Sequence, residues 1–312
     1  MKILLTSTSF MDTPGIHKEL LERQDWEVDT QRGPLTEDQL LPLIADYDAV
    51  ICGDDDYTEQ VLKAGYSGKL RILSKYGIGL DHIDLNTARK LGIQVANTPG
   101  VNHTTVAEHT FAHILAFSRN YVQEVEYVKN GQWKRITGHE ISGKQLAIFG
   151  LGRIGKEVAI RAKAFGLKVK VFEPYPDKEF IERYDLIRVD TVAELVKDAD
   201  IITIHAPLTA QTHRVFDKTI FSCFTKQPLL VNIARADIVD KDALVFALDN
   251  KLISGYLADV MWEEPMPQDE ILIQYDNVFI TPHIGSRTFE NVARQGCAAI
   301  YNLIEMSNKT DR

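Results

Sequence analysis

The stretch Ile148-Phe149-Gly150-Leu151-Gly152-Arg153-Ile154-Gly155 joins a short apolar run to a helical pattern through three spaced glycines. In a strand-turn-helix unit of this kind, the first glycine permits the tight turn and the second lets the backbone approach a pyrophosphate. The third lets the helix pack closely on the strand. The helix N-terminus then offers N–H groups and a positive dipole to phosphate oxygens. The stretch therefore predicts a doubly wound α/β fold that binds a dinucleotide.

A carboxylate follows the next apolar strand, Lys168–Phe172, at the spacing expected for a nucleotide site. Glu173 stands eighteen positions after Gly155. A carboxylate there can accept hydrogen bonds from ribose hydroxyls and repel the extra phosphate of NADP. The next residues, Pro174-Tyr175-Pro176, include no arginine or lysine that could bind that phosphate. The pattern therefore favours NAD over NADP.

Short apolar runs alternate with amphipathic helical stretches, such as Thr191–Lys197 and Asp240–Asp249, along the whole chain. The predicted strands include Lys2–Thr6, Ala49–Gly53, Arg71–Ser74, Gln145–Phe149, Lys168–Phe172, Ile201–His205, Leu229–Ile233 and Gly255–Ala258. Alternation of strands and helices predicts mostly parallel sheets that are covered on both faces.

The position of the glycine-rich stretch indicates more than one domain. It begins at Gly150, although the first predicted strand starts at residue 2. The turn signal Asn97-Thr98-Pro99-Gly100 precedes a long apolar-periodic helix, Asn102–Phe117. We therefore expect a first α/β unit before the nucleotide-binding one. The pattern leaves open which unit holds the closing helix, Arg287–Ile304.

The composition argues against two classes of binding surface. The 312 residues are 45% hydrophobic and 25% charged, and their net charge of −9 disfavours nucleic acids and anionic membranes. No apolar run approaches the roughly 18 residues that span a membrane, and Met1–Thr6 resembles a first strand more than a signal peptide. Cys52, Cys223 and Cys297 have neither metal-ligand nor redox spacing. We expect a cytoplasmic protein without a metal site.

Polar residues follow four successive predicted strands, where ligands of a doubly wound sheet bind. They are His205 after Ile201–Ile204, Asn232 to Arg235 after Leu229–Val231, Asp259 after Gly255–Ala258, and His283 after Val278–Ile280. Taken singly, each would more often be a capping residue or a surface charge. Four of them beside a dinucleotide site predict a reaction site along one rim.

Further motifs, in this order, make the chain resemble the D-isomer-specific 2-hydroxyacid dehydrogenase family, close to its 3-phosphoglycerate dehydrogenase-like branch. The motifs are Tyr76-Gly77-Ile78-Gly79-Leu80-Asp81-His82-Ile83-Asp84, Asn97-Thr98-Pro99-Gly100-Val101-Asn102, Val106-Ala107-Glu108-His109, the Gly150 stretch, His205-Ala206-Pro207-Leu208-Thr209, 232–240, 259–265 and Thr281-Pro282-His283-Ile284-Gly285. The resemblance covers nearly the whole chain.

The resemblance implies an α/β protein of two Rossmann-like doubly wound parallel-sheet domains, which pairs as a homodimer. The NAD-binding domain, 102–283, would be inserted into the substrate domain, 1–101 and 284–312. The implied NAD contacts are Gly150, Gly152, Arg153, Ile154, Gly155, Glu173, His205, Ala206, Pro207, Thr212, Ile233, Ala234, Asp259 and Gly285. The helical stretch Asn102–Asn130 would form the dimer arm. It contains six apolar side chains that one helix in a monomer would not readily cover, namely Phe111, Ile114, Leu115, Phe117, Tyr121 and Val122.

The implied reaction transfers a hydride between NAD and C2 of a small D-2-hydroxy acid or 2-keto acid. Arg235 would clamp the substrate carboxylate, His283 would act as acid and base, and Glu264 would support His283. These roles suit the residue types, since arginine binds carboxylates in a bidentate manner and histidine exchanges protons near neutral pH. The implied substrate contacts are Lys75, Ile78, Gly79, Asn102, Arg235 and His283.

The sequence departs from the family pattern at two places. Ala236 follows Arg235 where a glycine is usual, so we expect small backbone changes there. Asp54-Asp55-Asp56-Tyr57 stands where phosphoglycerate dehydrogenases carry an arginine, which disfavours a phosphorylated substrate and leaves Lys75 as the nearest cation.

Two other functions stay open from the sequence. One is a non-catalytic NAD(H)-sensing protein of the corepressor type, although Arg235, Glu264 and His283 are all present. The other is oxidation of formate or phosphite, but the relatives with those activities carry glutamine at position 264 or lysine at position 78. The substrate itself is not specified by these patterns.

Overall fold

A computed structural model describes residues 1–310 of the chain, which form two compact units. The outer unit comprises Met1–Asn102 and the described residues from Arg287 onward, and the inserted unit comprises His103–Ser286. The predicted α/β class with one unit inserted into the other is confirmed. The sequence placed the borders after residues 101 and 283, whereas the units divide after 102 and 286. Residues 311–312 of the predicted second stretch lie outside the described residues.

The first stretch of the outer unit alternates five parallel strands with five helices. The strands are β1 (Lys2–Leu5), β2 (Glu27–Thr30), β3 (Ala49–Cys52), β4 (Ile72–Lys75) and β5 (Gln94–Ala96). The helices are α1 (Thr8–Asp12), α2 (Ile16–Glu22), α3 (Glu37–Leu40), α4 (Glu59–Ser67) and α5 (Leu85–Leu91), with a 3₁₀ turn at Ile44–Asp46. The spatial order is β2-β1-β3-β4-β5. The order therefore reverses between β1 and β3, as in doubly wound sheets.

The inserted unit has a sheet of seven parallel strands. The strands are β6 (Gln145–Phe149), β7 (Lys168–Phe172), β8 (Ile187–Val189), β9 (Ile201–Ile204), β10 (Leu229–Asn232), β11 (Gly255–Ala258) and β12 (Val278–Ile280). The helices are α6 (His103–Ser118), α7 (Tyr121–Lys129), α8 (Arg153–Ala164), α9 (Lys178–Arg183), α10 (Val192–Val196), α11 (Lys218–Phe221) and α12 (Lys241–Asp249). Two 3₁₀ turns span Ala236–Ile238 and Ile271–Gln274.

The strand order β12-β11-β10-β9-β6-β7-β8 reverses between β9 and β6. Alternate residues of β6 pack in two different cores. Leu146 and Ile148 contribute to one apolar cluster, whereas Ala147 and Phe149 contribute to the other. Burial on both faces explains why central strands such as β6 and β9 are almost continuously apolar. A crevice at the carboxyl ends of the strands is expected where the order reverses.

The closing helix α13 (Phe289–Thr310) belongs to the outer unit. Its residues Val292, Ala299 and Leu303 are fully buried in a cluster with Ile3 and Ile51 of the central strands. The Ser74 hydroxyl also donates a hydrogen bond to the Ala299 carbonyl, at 2.8 Å. The sequence pattern left open which unit holds this closing helix, and its packing assigns it to the outer unit. None of the helices within residues 1–310 is long and apolar enough to cross a membrane.

The predicted helical stretch Asn102–Asn130 is two helices rather than one. The break between α6 and α7 lies at Asn120, whose φ of 50° is left-handed. Phe111 and Ile114 are buried in the core of the inserted unit, and Leu115 and Phe117 pack against it. Four of the six apolar residues expected to need cover from a partner are therefore covered within the inserted unit. Only two of the six are strongly exposed, Tyr121 at 64% and Val122 at 44%.

Candidate active site

The glycine-rich turn between β6 and α8 uses its three glycines for three different reasons. Gly150 has a φ of 95°, and a Cβ on it would lie 2.6 Å from the Ala206 nitrogen. A Cβ on Gly155 would lie 2.1 Å from the Gly150 carbonyl oxygen, so only glycine lets the helix approach the strand. A Cβ on Gly152 would meet nothing within 4 Å. The space over Gly152 is therefore open to a ligand.

The N-terminus of α8 lies at this open space. Gly152 caps the helix without any side-chain hydrogen bond to its first N–H groups. Amide groups left in this way, together with the helix dipole, form an anion site. Arg153, the first residue of the helix, is exposed, and Ile154 is half-buried. This arrangement fits the pyrophosphate of a dinucleotide.

Glu173 follows β7 and is bonded to the glycine-rich turn. One carboxylate oxygen accepts a hydrogen bond from the Leu151 amide at 2.9 Å, and the other accepts one from the Tyr175 amide at 3.1 Å. Each carboxylate oxygen has a further lone pair for another donor. The side chain is thus fixed beside the turn with capacity to accept ribose hydroxyls.

The loop after β9 carries His205, Ala206, Pro207 and Thr212. Both ring nitrogens of His205 are buried without a hydrogen-bond partner among the described residues, and burial lowers the pKa of His205 to about 3. Its imidazole is therefore neutral at physiological pH. The Thr212 hydroxyl donates to the Pro207 carbonyl at 2.6 Å and accepts from the Thr209 amide at 2.8 Å. Thr212 thus stabilises the loop itself.

The three predicted catalytic residues follow three adjacent strands. Arg235 follows β10, Glu264 comes after β11, and His283 follows β12, and these strands are neighbours in the sheet. A Cβ on Gly285 would lie 3.4 Å from Cγ2 of Ile233. The loops after β10 and β12 are therefore in contact range at the carboxyl edge of the sheet.

Glu264 and His283 form a hydrogen-bonded pair. The His283 Nδ1 and the Glu264 Oε2 are 2.8 Å apart, and both side chains are about one-third exposed, 37% and 36%. The second Glu264 oxygen accepts a hydrogen bond from the Met261 amide at 2.9 Å. The carboxylate is thus held from both sides and orients the imidazole. A histidine oriented by a carboxylate is the arrangement expected of a general acid and base.

Arg235 is positioned by the buried side chain of Asn232. The Asn232 amide nitrogen donates to the Arg235 carbonyl at 2.9 Å, and its oxygen accepts from the Ala234 amide at 3.1 Å. The Arg235 guanidinium donates to the Ala234 carbonyl at 2.8 Å. A planar guanidinium can bind a carboxylate in a bidentate manner. Sequence reasoning noted Asn232 at the strand end but missed this positioning role.

Asp259 clamps the loop that carries His283. Its carboxylate accepts hydrogen bonds from the amides of Ile284 and Gly285 at 2.8 and 2.7 Å, and from the Thr281 hydroxyl at 2.6 Å. Burial opposes ionisation of Asp259, but hydrogen bonds from His109, Thr281 and Ile284 outweigh it and lower the pKa. Asp259, only 2% exposed, is therefore an anion at neutral pH.

The predicted substrate residues Lys75, Ile78, Gly79 and Asn102 all belong to the outer unit. The Asn97 side chain donates to the Ile78 carbonyl at 2.8 Å and fixes that loop. Lys75 is 3% exposed, and its ammonium donates to the Gly53 carbonyl and to Asp54. The lysine charge is therefore already paired by Asp54.

Comparison with known proteins identifies the family. Residues 111–285, more than half of the chain, match the family described as D-isomer specific 2-hydroxyacid dehydrogenase, NAD binding domain. The chain belongs to this family.

Two curated relatives and one solved structure illustrate the similarity. A D-3-phosphoglycerate dehydrogenase of Methanocaldococcus jannaschii is 38% identical over 93% of this chain and 54% of its own length. A glyoxylate reductase of Thermofilum pendens is 36% identical over 91% of this chain and 83% of its own length. A crystal structure of a Thermus thermophilus protein has a TM-score of 0.86 at 32% identity and covers 99% of this chain and 97% of that chain. The chain thus spans about half the length of the first relative.

The segment that matches the family contains Arg235, Glu264, His283 and all fourteen predicted NAD contacts. The departure at Ala236 has little structural effect. Ala236 is buried at the start of a 3₁₀ turn and is not among the residues with positive φ. The position therefore does not require the glycine that the family pattern predicts.

Proposed function

We propose that the protein transfers a hydride between NAD and C2 of a small D-2-hydroxy acid or 2-keto acid. The observation that carries the proposal is the hydrogen-bonded His283–Glu264 pair. It follows β12 and β11, the two strands next in order to β10, which presents Arg235. This combination supplies a proton and a carboxylate-binding cation at one edge of a dinucleotide-binding sheet.

Arg235 would bind the substrate carboxylate through its guanidinium. The same group can polarise the keto oxygen, on which negative charge develops as the C2 centre is reduced. The Asn232 hydrogen bonds on either side of the loop support this role, because they fix the backbone from which Arg235 projects. Fixed donors stabilise developing charge without reorganising during the reaction.

His283 would donate a proton from Nε2 to the keto oxygen in reduction and take it back in oxidation. Its Nδ1 faces Glu264, and a neighbouring carboxylate favours the imidazolium form. Reduction requires His283 protonated and oxidation requires it neutral. We therefore expect reduction to be favoured at lower pH and oxidation at higher pH.

Residues of the glycine-rich turn would hold NAD, which supplies or accepts the hydride when bound. The N-terminus of α8 and the open space over Gly152 suit the pyrophosphate, and Glu173 suits the ribose hydroxyls. The buried nitrogens of His205, which have no partner within residues 1–310, could take a hydrogen bond from the bound nucleotide.

From the family resemblance, we also expect substrate contacts from the backbone at Ile78-Gly79 and from the side chains of Asn102 and Lys75, which belong to the outer unit. A second anionic group on the substrate is disfavoured, because Asp54 already pairs with Lys75 at 2.6 Å. Among the substrates named by the relatives, this favours a small acid like glyoxylate over a phosphorylated one.

We also propose a homodimer formed through α7 and the segment that follows it. Tyr121, Val128 and Trp133 are exposed by 64, 54 and 81%. These three large side chains lie close together in the sequence, and a contiguous apolar patch on a protein surface marks a protein–protein interface.

A substrate screen tests the proposed reaction. NADH oxidation would be followed with glyoxylate, hydroxypyruvate, pyruvate, phosphohydroxypyruvate and larger 2-keto acids, with matched methyl ketones that lack the carboxylate as controls. We expect at least one small 2-keto acid to be reduced and the ketones to be inert. Normal NADH binding without turnover of any acid would contradict the proposal.

A further inference from the structure

His109 and His113 lie one turn apart on α6 and direct their Nε2 atoms toward the same point. The two Nε2 atoms are 3.1 Å apart, and each lies 3.1 Å from the Thr281 hydroxyl oxygen. The His109 Nε2 is also 3.3 Å from the Asp259 carboxylate. A spacing of four residues on a helix brings both rings to one face. The two histidines therefore contact Asp259 and Thr281, the hydrogen-bonded pair that holds the His283 loop and is called the Asp259–Thr281 clamp below.

The geometry restricts where the protons lie. Thr281 donates its one proton to Asp259, at 2.6 Å. A lone pair on the His109 Nε2 would face the Asp259 anion, so this nitrogen is best satisfied as a donor. Two N–H groups directed at each other over 3.1 Å would repel, so the His113 Nε2 is then best satisfied as an acceptor. The two facing Nε2 atoms would thus hold one proton between them, on His109.

The clamp holds a backbone conformation that is unfavourable by itself. His283 has a φ of 52°, and a residue other than glycine stays in this left-handed region only where the surrounding structure imposes it. Asp259 binds the two amides that directly follow His283, and Thr281 lies two residues before it. Anything that displaces Asp259 or Thr281 therefore changes the direction of the His283 imidazole.

We propose that His109 and His113 are positioning residues that hold the Asp259–Thr281 clamp, and that a second proton entering this pair releases the His283 loop and sets the acid limit of catalysis. The proposal rests on the proposed function of His283. His113 is only 6% exposed, and a buried helix position of this kind is more often occupied by an aliphatic side chain. The contacts of its Nε2 with His109 and Thr281 give a reason for an imidazole at this position.

The charges around the pair give the direction of the pH effect. The titratable group that faces the histidine pair is Asp259, which follows β11, in addition to the two imidazoles themselves. Glu108 is on the same helix, but its carboxylate pairs with Arg161 at 3.7 Å. Burial, and next the charge of His109, lower the pKa of His113 to about 4. The clamp is therefore intact above this pH, and protonation of His113 at lower pH opposes it. Within residues 1–310, no group of three or more His, Cys, Asp or Glu side chains is arranged to hold a metal ion, so we interpret the cluster as a proton network.

Nitrogen NMR of the histidine-labelled full chain tests the proton assignment without substrate. At pH 7 we expect a proton on the Nε2 of His109 and, on His113, a proton on Nδ1 alone. The signals are assigned by the loss of each one in His109→Gln and His113→Gln. A protonated Nε2 on His113, or a charged His113 at pH 7, would overturn the proposal.

Kinetics of two His113 variants test the consequence for catalysis. His113→Leu removes the acceptor, and we expect kcat for keto-acid reduction to fall roughly 2–12-fold, the worth of one neutral hydrogen bond, with NADH binding unchanged. His113→Gln retains an acceptor that does not titrate, so it should recover most of kcat and extend activity to lower pH. His139→Gln, at an exposed position, is the control. Wild-type kcat and pH profile in folded His113→Leu would overturn the proposal.

If wild type reduced no keto acid, the proposed function would fail, while the NMR experiment would still decide the proton arrangement.

Discussion

Two alanine substitutions in the glycine-rich turn should separate folding from nucleotide binding. In Gly155→Ala, the new Cβ would lie 2.1 Å from the Gly150 carbonyl oxygen, a backbone atom that cannot move without distorting the turn. In Gly152→Ala, the new Cβ would meet no protein atom within 4 Å. The same chemical change is therefore expected to damage the fold at residue 155 and the ligand site at residue 152.

The magnitudes follow from these contacts. Overpacking at residue 155 should lower the free energy of unfolding by about 1–3 kcal/mol, or roughly 2–12 °C in Tm for a unit of this size. At residue 152, a methyl group would separate a phosphate from the turn amides. Loss of one hydrogen bond to a charged group, about 1.5–3 kcal/mol, weakens NADH binding roughly 10–150-fold.

Thermal unfolding without ligand and NADH titration by nicotinamide fluorescence would measure both quantities on each variant. We expect Gly155→Ala to have a lower Tm, and Gly152→Ala to have a wild-type Tm with weaker NADH binding. Equal NADH affinity in wild type and Gly152→Ala would refute the position assigned to the pyrophosphate. An unchanged Tm in Gly155→Ala would refute the close-packing argument.

Three further outcomes are expected. Wild type should have a higher kcat/KM with NADH than with NADPH, because the Glu173 carboxylate repels the 2′-phosphate, and Glu173→Ala should narrow this difference. Equal use of both cofactors by wild type would contradict the role assigned to Glu173. As pH rises, the rate of keto-acid reduction should decline at a lower pH in Glu264→Gln than in wild type, because the imidazolium of His283 loses its anionic partner. An identical pH–rate profile in the two proteins would exclude the Glu264–His283 pairing. Light scattering at micromolar concentration should give about twice the chain mass of 35.2 kDa, and Val128→Glu should shift the mass toward the monomer, whereas a stable wild-type monomer would exclude the dimer.

The sequence predicted the parts of the fold that depend on local pattern. The bounds of β6, β7 and β11 match the prediction residue for residue, because most of their residues are apolar and clear turn or polar residues bound them. The strands β2, β5 and β8 were missed. They lie at sheet edges with half-exposed or exposed residues, such as Val28 and Arg188. An edge strand faces solvent on one side and so lacks the apolar run that identifies a central strand.

The supporting contacts of the site could not be predicted in the same way. The identities of Arg235, Glu264 and His283 were available from motifs, but their supports depend on pairs far apart in the chain. His109 and Thr281 are separated by 172 residues, and nothing in either local sequence indicates their contact. The four-residue spacing of His109 and His113 was visible, but on its own it is equally compatible with surface or core positions.

The most direct test of the central claim compares wild type with His283→Ala. The rate of NADH oxidation would be measured with the best 2-keto acid from the screen, together with the Kd for NADH. Loss of the proton donor should lower kcat by roughly 10²–10⁴-fold, with NADH affinity preserved because the turn at Gly150–Gly155 is unchanged. A His283→Ala variant that binds NADH and retains the wild-type rate would contradict the account.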